Sequence, residues 1–278
     1  MIKRRKSFLK RMQENKRLQD LSGVLLPVSL GILILILWQT QILQKLLNTD
    51  TFTLPLPTRI IAIIIDNIGK IMVNVGATVI VAVLGLAIGS LIGYLIAVFA
   101  TIFPLWGGGG ITIVAAFNAI PIVALAPVMT NWTKGVSSDA SIRSMVAKIL
   151  VVMIICIAAM SINAFRGLNE LKPFALDLMT SYAAKPKQIF FKLRIPNSIP
   201  YIFTALRVSV PSSVIAALVS EYFAEYIIGV GREIRENIVL SQYATAWAYI
   251  VVACAIGIIM YGILLFFEKI LLKHKAHV

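Results

Sequence analysis

Long apolar runs constrain this chain most, because they leave little sequence from which a soluble domain could be built. Each of six runs is close to the roughly 20 residues that a membrane-spanning helix needs. They cover about residues 24–43, 77–100, 111–130, 144–164, 201–223 and 243–267. Only 14% of the residues are charged, against about 25% in soluble domains. The sequence predicts an all-α integral membrane protein with a basic arm (1–23) and one six-span domain (24–278).

The segments between these runs are polar, glycine-rich or amphipathic. Residues 59–70 have the pattern of an amphipathic helix at the membrane surface, and Gly107–Gly110 is predicted to be a flexible connector. Polar loops are predicted at 131–143 and 225–242, and the longest basic insertion covers 165–200.

The positive charges are distributed unevenly along the chain, which predicts its orientation. With six spans, the arm, residues 165–207 and the tail share one side and hold 18 of the 26 Lys and Arg residues. Such an excess is typical of cytoplasmic segments. Both termini are therefore predicted to be cytoplasmic, and the net charge of +14 is interpreted as a topology signal, without a nucleic-acid partner.

Residues for catalysis or metal binding are scarce. Cys156 and Cys254 lie in apolar runs, and the histidines, His274 and His277, are in the tail. No Gly-x4-Gly-Lys-Ser/Thr phosphate loop is present. The chain is predicted to be no enzyme and to hold no metal or cofactor, so that ATP, if used, binds another chain.

A stripe of small residues follows one face of the second predicted span. Gly85, Gly89 and Gly93 repeat every four residues, which lets another helix approach closely. The stripe is consistent with packing inside the subunit or with a subunit interface or moving contact.

Several polar and helix-breaking residues are candidates for a translocation path. Prolines often break helices that line such paths. An intramembrane carboxylate suggests a functional role, so Glu221 is a candidate for substrate contact. The alternatives for Glu221 are a gating or structural hydrogen bond and a position at the solvated end of its span. Lys148 and Arg143 are predicted to extend to the membrane surface. The path candidates are Asn118, Pro121, Pro127, Ser212, Ser213 and Glu221.

The insertion at 165–200 predicts a helical elbow. Leu171, Phe174, Leu178 and Tyr182 share one helix face, after which Ala183–Lys185 turns the chain and Pro186 can begin a second helix. This second helix is predicted to end at Pro196. It carries Ile189, Phe190 and Leu193 on one side and Lys187, Lys192 and Arg194 on the other.

The elbow resembles the signature of permease subunits of binding-protein-dependent ABC importers, which is Glu-Ala-Ala, three residues, Gly, nine residues, Ile-x-Leu-Pro. The matching positions are Asp177-Leu178-Met179, Ala183 and Leu193-Arg194-Ile195-Pro196. The spacing is kept, but Ala183 replaces the turn glycine. Further segments resemble the branch that handles sulfonates, nitrate, taurine, thiamine-precursor pyrimidines and riboflavin. They are Leu54–Pro57, Ala119–Pro127, Asn163–Gly167 and Pro200–Arg207.

The resemblance implies an importer in a bacterial inner membrane with two permease subunits, a homodimer being favoured. Its partners would be a cytoplasmic ATPase dimer carrying ATP and Mg²⁺ and an extracytoplasmic binding protein. The elbow would be the coupling helix, with Lys187 at its rim. The residues implied in coupling are Asp177, Leu178, Met179, Tyr182, Ala183, Ala184, Lys187, Leu193, Ile195 and Pro196.

The substrate and the energy source remain open at this point. Riboflavin or a thiamine-precursor pyrimidine is favoured over sulfonate, taurine or nitrate by the stretch 177–196. A gradient-driven transporter or channel would need charges buried within the spans, and only Glu221 is a candidate. A membrane-embedded enzyme lacks its catalytic residues.

Overall fold

A computed structural model describes residues 16–224 and 228–272 of the chain, and every regular element in these ranges is a helix. Residues 1–15 of the predicted basic arm, Glu225 of the predicted loop, and His274 and His277 lie outside the described residues. The chain divides into two compact units at Asp66. The predicted all-α class is confirmed.

The first unit contains three helices, of which the first carries most of the apolar run. Helix α1 already begins within the predicted basic arm, and its apolar side chains from Leu25 to Ile36 are largely exposed, as expected of a surface that faces lipid. The indole nitrogen of Trp38 donates to the Pro55 carbonyl at 2.9 Å and ties the end of α1 to the Leu54–Pro57 turn. The bounds are α1 Lys16–Gln39, α2 Ile42–Leu46 and α3 Pro57–Asp66.

The amphipathic helix predicted over residues 59–70 is interrupted in the structure. Helix α3 ends at Asp66, and α4 begins at Ile68 after Asn67. The last predicted turn therefore belongs to the following long helix, because its apolar pattern continues into the predicted second span.

The second unit is built on long helices. Four helical runs are long and apolar enough to cross a membrane: 68–102, 140–169, 186–222 and 243–272. The elements are α4 Ile68–Ile102, α5 Pro104–Ala116, α6 Ile122–Trp132, α7 Ala140–Asn169, α8 Ala175–Ser181, α9 Pro186–Ile189, a π-helical turn Phe190–Arg194, α10 Ile195–Tyr222, α11 Val230–Val239 and α12 Tyr243–Leu272.

Helices α4, α7 and α10 form the centre of this unit, and small residues allow their backbones to approach. A Cβ atom built on Gly85 would lie 2.5 Å from Cβ of Val152, and one on Gly89 would lie 2.5 Å from the Met153 carbonyl oxygen. The Gly93 position is equally close to α7. In this structure the glycine stripe therefore packs against α7 of the same chain.

The third predicted span is bent more sharply than its prolines alone indicated. The two parts, 107–119 and 122–135, meet at 97°. The break falls at Ile120 and Pro121, both of which have extended backbone conformations. The expectation that Gly107–Gly110 forms a flexible connector is wrong, because these residues lie inside α5. Gly107 has no room for a side chain, since a Cβ would meet the Ala100 carbonyl oxygen.

Three predicted loops or helix ends are also corrected. Helix α7 begins inside the predicted loop 131–143, because Asp139 caps it by accepting from the Ser141 amide at 2.8 Å. The amphipathic helix α11 occupies most of the predicted loop 225–242. The second elbow helix does not end at Pro196, because it continues through the π-helical turn into α10, and Pro196 lies within this continuous helical run.

Candidate functional sites

The elbow, residues 177–196, turns through a well-formed helix C-terminus. The amide of Ala184 donates to the Met179 carbonyl at 3.0 Å, and that of Ala183 donates to the Thr180 carbonyl at 2.9 Å. These two bonds form a Schellman motif. Pro186 then begins α9 as predicted, and the Gln188 side chain accepts from the Lys185 amide at 2.8 Å. The turn at Ala183–Lys185 is therefore confirmed.

Ala183 adopts the conformation for which this motif normally uses glycine. Its φ is +50°, in the left-handed region that costs a residue with a Cβ about 1–2 kcal/mol. The resemblance to the importer signature places a glycine at this position. The structure thus keeps the turn and accepts local strain at Ala183.

We expect Ala183→Gly to strengthen the turn by up to about 1 kcal/mol, because relief of the left-handed strain exceeds the added chain entropy of glycine. Hydrogen exchange of the Ala184 amide measures this local stability. Ala184→Gly is the matched control, since Ala184 has no positive φ. Glycine relieves no strain there and adds chain entropy, so the amide of residue 184 should exchange faster in this variant. Faster exchange in Ala183→Gly would contradict the strain argument.

The apolar face of the elbow is open at its tip. The predicted common helix face is wrong in part, because α8 covers only Ala175–Ser181 and both Leu171 and Phe174 precede it. Leu178 is nevertheless 60% exposed, Tyr182 80% and the adjoining Phe174 81%. Met179 and Ala184 are half-buried, and Asp177 is exposed. Large exposed apolar groups in one place mark an interaction surface. The tip therefore presents a surface that a partner or a membrane could cover.

The second half of the elbow packs onto the helix bundle. Phe190 and Ile195 contact a buried cluster at the same end of the bundle, and Leu193 is half-buried while Lys187 and Pro196 are exposed. The predicted apolar face of this helix is thus internal. The cluster consists of Ala97, Met160, Ala164, Leu168 and Ala205.

Polar contacts fix the base of the elbow to the end of α7. Arg194 Nη1 donates to the Leu168 carbonyl at 2.9 Å and to Asn169 Oδ1 at 2.8 Å. Asn197 Nδ2 donates to the Gly167 carbonyl at 2.7 Å. A Cβ on Gly167 would lie 2.7 Å from Cβ of Tyr201. Movement of the elbow is therefore coupled directly to α7.

The path candidates separate into accessible and buried groups. Asn118 and Pro121 are exposed at the break between α5 and α6, and Pro127 lies within α6. Ser212 donates to the Val208 carbonyl of its own helix at 2.8 Å. Ser213 is buried and bonds the Val210 carbonyl. The structure therefore does not bring these residues and Glu221 into one open site.

Glu221 is the centre of a buried polar cluster at the opposite end of α10 from the elbow. It is 0% exposed, and its Oε2 accepts from the Gly231 amide at 2.8 Å and from Thr78 Oγ1 at 3.0 Å. Thr78 Oγ1 in turn accepts from the Val230 amide at 3.0 Å. The carboxylate thus satisfies an amide at the start of α11, where the helix dipole favours negative charge.

Lys148 lies near this cluster and corrects one expectation. It is only 5% exposed, and its Nζ donates to the Ile228 carbonyl at 3.1 Å. The prediction that it extends to the membrane surface is wrong, because the side chain is held inside the protein by the Ile228 carbonyl. Arg143 Nη1 instead binds the Ser137 and Ser138 carbonyls.

Sequence reasoning missed the partners of Glu221. A Cβ on Gly229 would lie 2.3 Å from Glu221 Cδ, and one on Gly231 would lie 2.1 Å from the Leu218 carbonyl oxygen. The Gly-Val-Gly triplet 229–231 was an available signal, since two glycines beside a carboxylate-bearing helix end suggest close backbone approach. Asn74 Oδ1 accepts from the Gly229 amide at 2.9 Å and further fixes this loop.

We expect Glu221→Leu to destabilise the start of α11 by about 1–3 kcal/mol, because the Gly231 amide loses its buried acceptor. Glu221→Gln keeps an acceptor oxygen and should lose less than half as much. Hydrogen exchange at Val230 and Gly231 measures the effect. Ser212→Ala on the same helix is the control and should leave it unchanged. Equal exchange in Glu221→Leu and the wild type would contradict a structural role.

Among residues 16–224 and 228–272, no group of three or more His, Cys, Asp or Glu side chains could hold a metal ion. The described part of the chain therefore offers surfaces and packed helices as its candidate sites.

Comparison with known proteins gives consistent matches. A family model described as a binding-protein-dependent transport system inner membrane component matches residues 89–273. The formylaminopyrimidine transport permease protein ThiX of Halalkalibacterium halodurans is 24% identical over 258 residues, or 90% of this chain and 95% of the relative.

Two further relatives are similar over shorter lengths. A probable ABC transporter permease protein of Haemophilus influenzae is 23% identical over 199 residues, or 72% of this chain and 77% of the relative. The bicarbonate transport system permease protein CmpB of Synechocystis is 29% identical over 85 residues, or 31% of this chain and 30% of the relative.

Proposed function

The chain belongs to the family of binding-protein-dependent transport system inner membrane components, and we propose that it forms the membrane path of an ATP-driven importer for a thiamine-precursor pyrimidine. The observation that carries the substrate class is the match to ThiX over nearly the full length of both chains. Riboflavin is the next candidate, and sulfonate, taurine or nitrate follow. The match to CmpB covers too little of either chain to favour its substrate.

Uptake into liposomes tests this substrate class. The permease is reconstituted with its ATPase and binding protein, and accumulation of labelled formylaminopyrimidine is measured with and without ATP. ATP-dependent uptake that unlabelled formylaminopyrimidine abolishes, and that taurine leaves unchanged, supports the proposal. ATP-dependent uptake of riboflavin without uptake of formylaminopyrimidine would identify riboflavin as the substrate instead. Uptake driven by an ion gradient without ATPase would overturn the importer mechanism.

The partners in this proposal are an ATPase dimer, a binding protein and a second permease subunit, with a homodimer favoured. ATP and Mg²⁺ would bind to the ATPase subunits. We place the exposed elbow tip, with Leu178, Tyr182 and Ala183, against the ATPase. Closure of the two ATPase subunits would then move both elbows and, through the Arg194 contacts with α7, tilt the helices of both permeases.

We place the translocation path beside the broken helix pair α5 and α6. The accessible Asn118 and Pro121 at its 97° bend offer polar groups where a helix is interrupted, as transport paths often do. The buried positions of Ser213 and Glu221 favour a structural role for both. The path therefore involves α5 and α6 more than the centre of α10.

The proposed topology has six spans, with both termini and the elbow in the cytoplasm. Its spans are the four long helical runs, the bent pair and the shorter apolar helix 25–39. In a Cys254→Ala background, cysteines at Ser138 and Lys172, both exposed, should be labelled from opposite sides of the membrane. Buried Cys156 should stay unlabelled. Labelling of both positions from one side would contradict the six-span arrangement.

A further inference from the structure

A cavity of about 700 Å³ lies between the end of α4 and the elbow. This volume is within the range of about 300–1,000 Å³ that is typical of small-molecule sites. Seven of its ten lining residues are apolar, including Val98 and Ile102 of α4 and Phe190 and Phe191 of the π-helical turn. The cavity thus joins a membrane helix to the elbow through a largely apolar wall.

The position along α4 places this cavity near a membrane surface. With 35 residues, α4 is about 52 Å long, whereas the hydrocarbon core is about 30 Å thick. Its last turns therefore reach the headgroup region. At this end of α4 the apolar side chains of Phe99, Ile102 and Phe103 are exposed, as expected where helix surface still meets acyl chains, and Ile102 also lines the cavity.

Positive charge lines the polar part of the same cavity. Lys187 and Arg194 are on its wall, and Lys187 forms no ion pair within the described chain. Residues 166–196 contain six Lys and Arg but only two carboxylates. One of these, Glu170, is bound by Arg166 at 3.1 Å. The cavity therefore complements a molecule with an anionic head and an apolar tail.

We propose that this cavity binds an anionic phospholipid, with the phosphate at Lys187 and Arg194 and an acyl chain along Val98, Ile102 and Phe191. Basic pockets at the ends of membrane helices favour anionic headgroups, and a free phosphate would leave the apolar wall unused. The lipid would occupy the space behind the elbow and support its position. This inference is independent of the transported substrate.

Native mass spectrometry of the full-length chain, in the complex in which it purifies, tests the site. Phosphatidylglycerol and phosphatidylcholine are titrated separately, and inorganic phosphate is added as a third arm. Lys187→Gln should weaken phosphatidylglycerol binding about fivefold, the contribution of one basic residue near a lipid surface. Ile102→Asn should weaken it as well, because it makes the apolar wall polar.

Lys192→Gln is the matched control, since Lys192 is an exposed cation of the neighbouring π-helical turn and does not line the cavity. It should change binding less than twofold. The proposal is overturned if phosphatidylglycerol and phosphatidylcholine bind equally, or if Lys187→Gln and Lys192→Gln have equal effects. Displacement of phosphatidylglycerol by millimolar phosphate would also overturn it. Lipid binding only after the ATPase dissociates would do the same and assign the cavity to a protein partner.

Discussion

Gly89→Val should largely abolish the folded protein, because the added side chain would enter the α7 backbone. Even a Cβ at this position lies 2.5 Å from the Met153 carbonyl oxygen and 2.8 Å from Cβ of Cys156. Overpacking by small groups costs about 1–3 kcal/mol, occasionally more, and here a backbone atom blocks relaxation. We expect aggregation during purification, or a strongly lowered Tm in detergent.

Gly76→Val is the matched control on the same helix. Apart from the neighbouring backbone of its own helix, nothing lies within 4 Å of a Cβ at Gly76, and valine is a better helix former than glycine. This variant should purify and melt like the wild type or slightly above it. A Gly89→Val protein with an unchanged Tm would show that α4 and α7 do not pack as the structure has them.

Tyr182→Ala and Ala183→Asp should detach the ATPase or uncouple it from transport. Tyr182 is highly exposed at the elbow tip, and burial of one such side chain in a partner is worth about 1.5–3 kcal/mol. Its loss should weaken association roughly 10- to 100-fold. Ala183→Asp places a charge in the same contact, while aspartate tolerates the left-handed backbone. Co-purification of the ATPase and substrate-stimulated ATP hydrolysis measure the effect.

Lys172→Ala is the control for these variants, because Lys172 is exposed and precedes the elbow. Single exposed charges contribute about 1 kcal/mol or less, so its complex should survive. All three proteins should insert into membranes normally, since the elbow lies beyond the end of α7. Unchanged ATPase recovery in both elbow variants would show that the ATPase binds elsewhere.

The long helices and the elbow turn were predictable because local patterns determine both. Apolar runs of membrane length predict spans without reference to the rest of the chain, and the residues from Tyr182 to Pro186 form their turn through contacts with near neighbours. The resemblance to an importer signature also rests on local spacing.

Features that depend on contacts between different elements were not predictable. Four glycines suggest flexibility, yet Gly107 is held against Ala100 by the turn between α4 and α5. Lys148 is buried by Ile228, 80 residues away. Glu221 accepts a hydrogen bond from the Gly231 amide only because Gly229–Gly231 folds back onto α10. Hydropathy records none of these contacts, because each joins two different helices or a helix and a loop.

The π-helical turn Phe190–Arg194 sets the direction in which the elbow tip points. It joins α9 to α10 as one uninterrupted rod and inserts one extra residue relative to a regular α-helix. Each residue of an α-helix rotates the side chains by about 100°. A one-residue deletion there would leave both helices intact yet turn the tip by about that angle. The direction of the elbow tip therefore depends on the number of residues in this turn. Point substitutions preserve that number, whereas insertions or deletions change it.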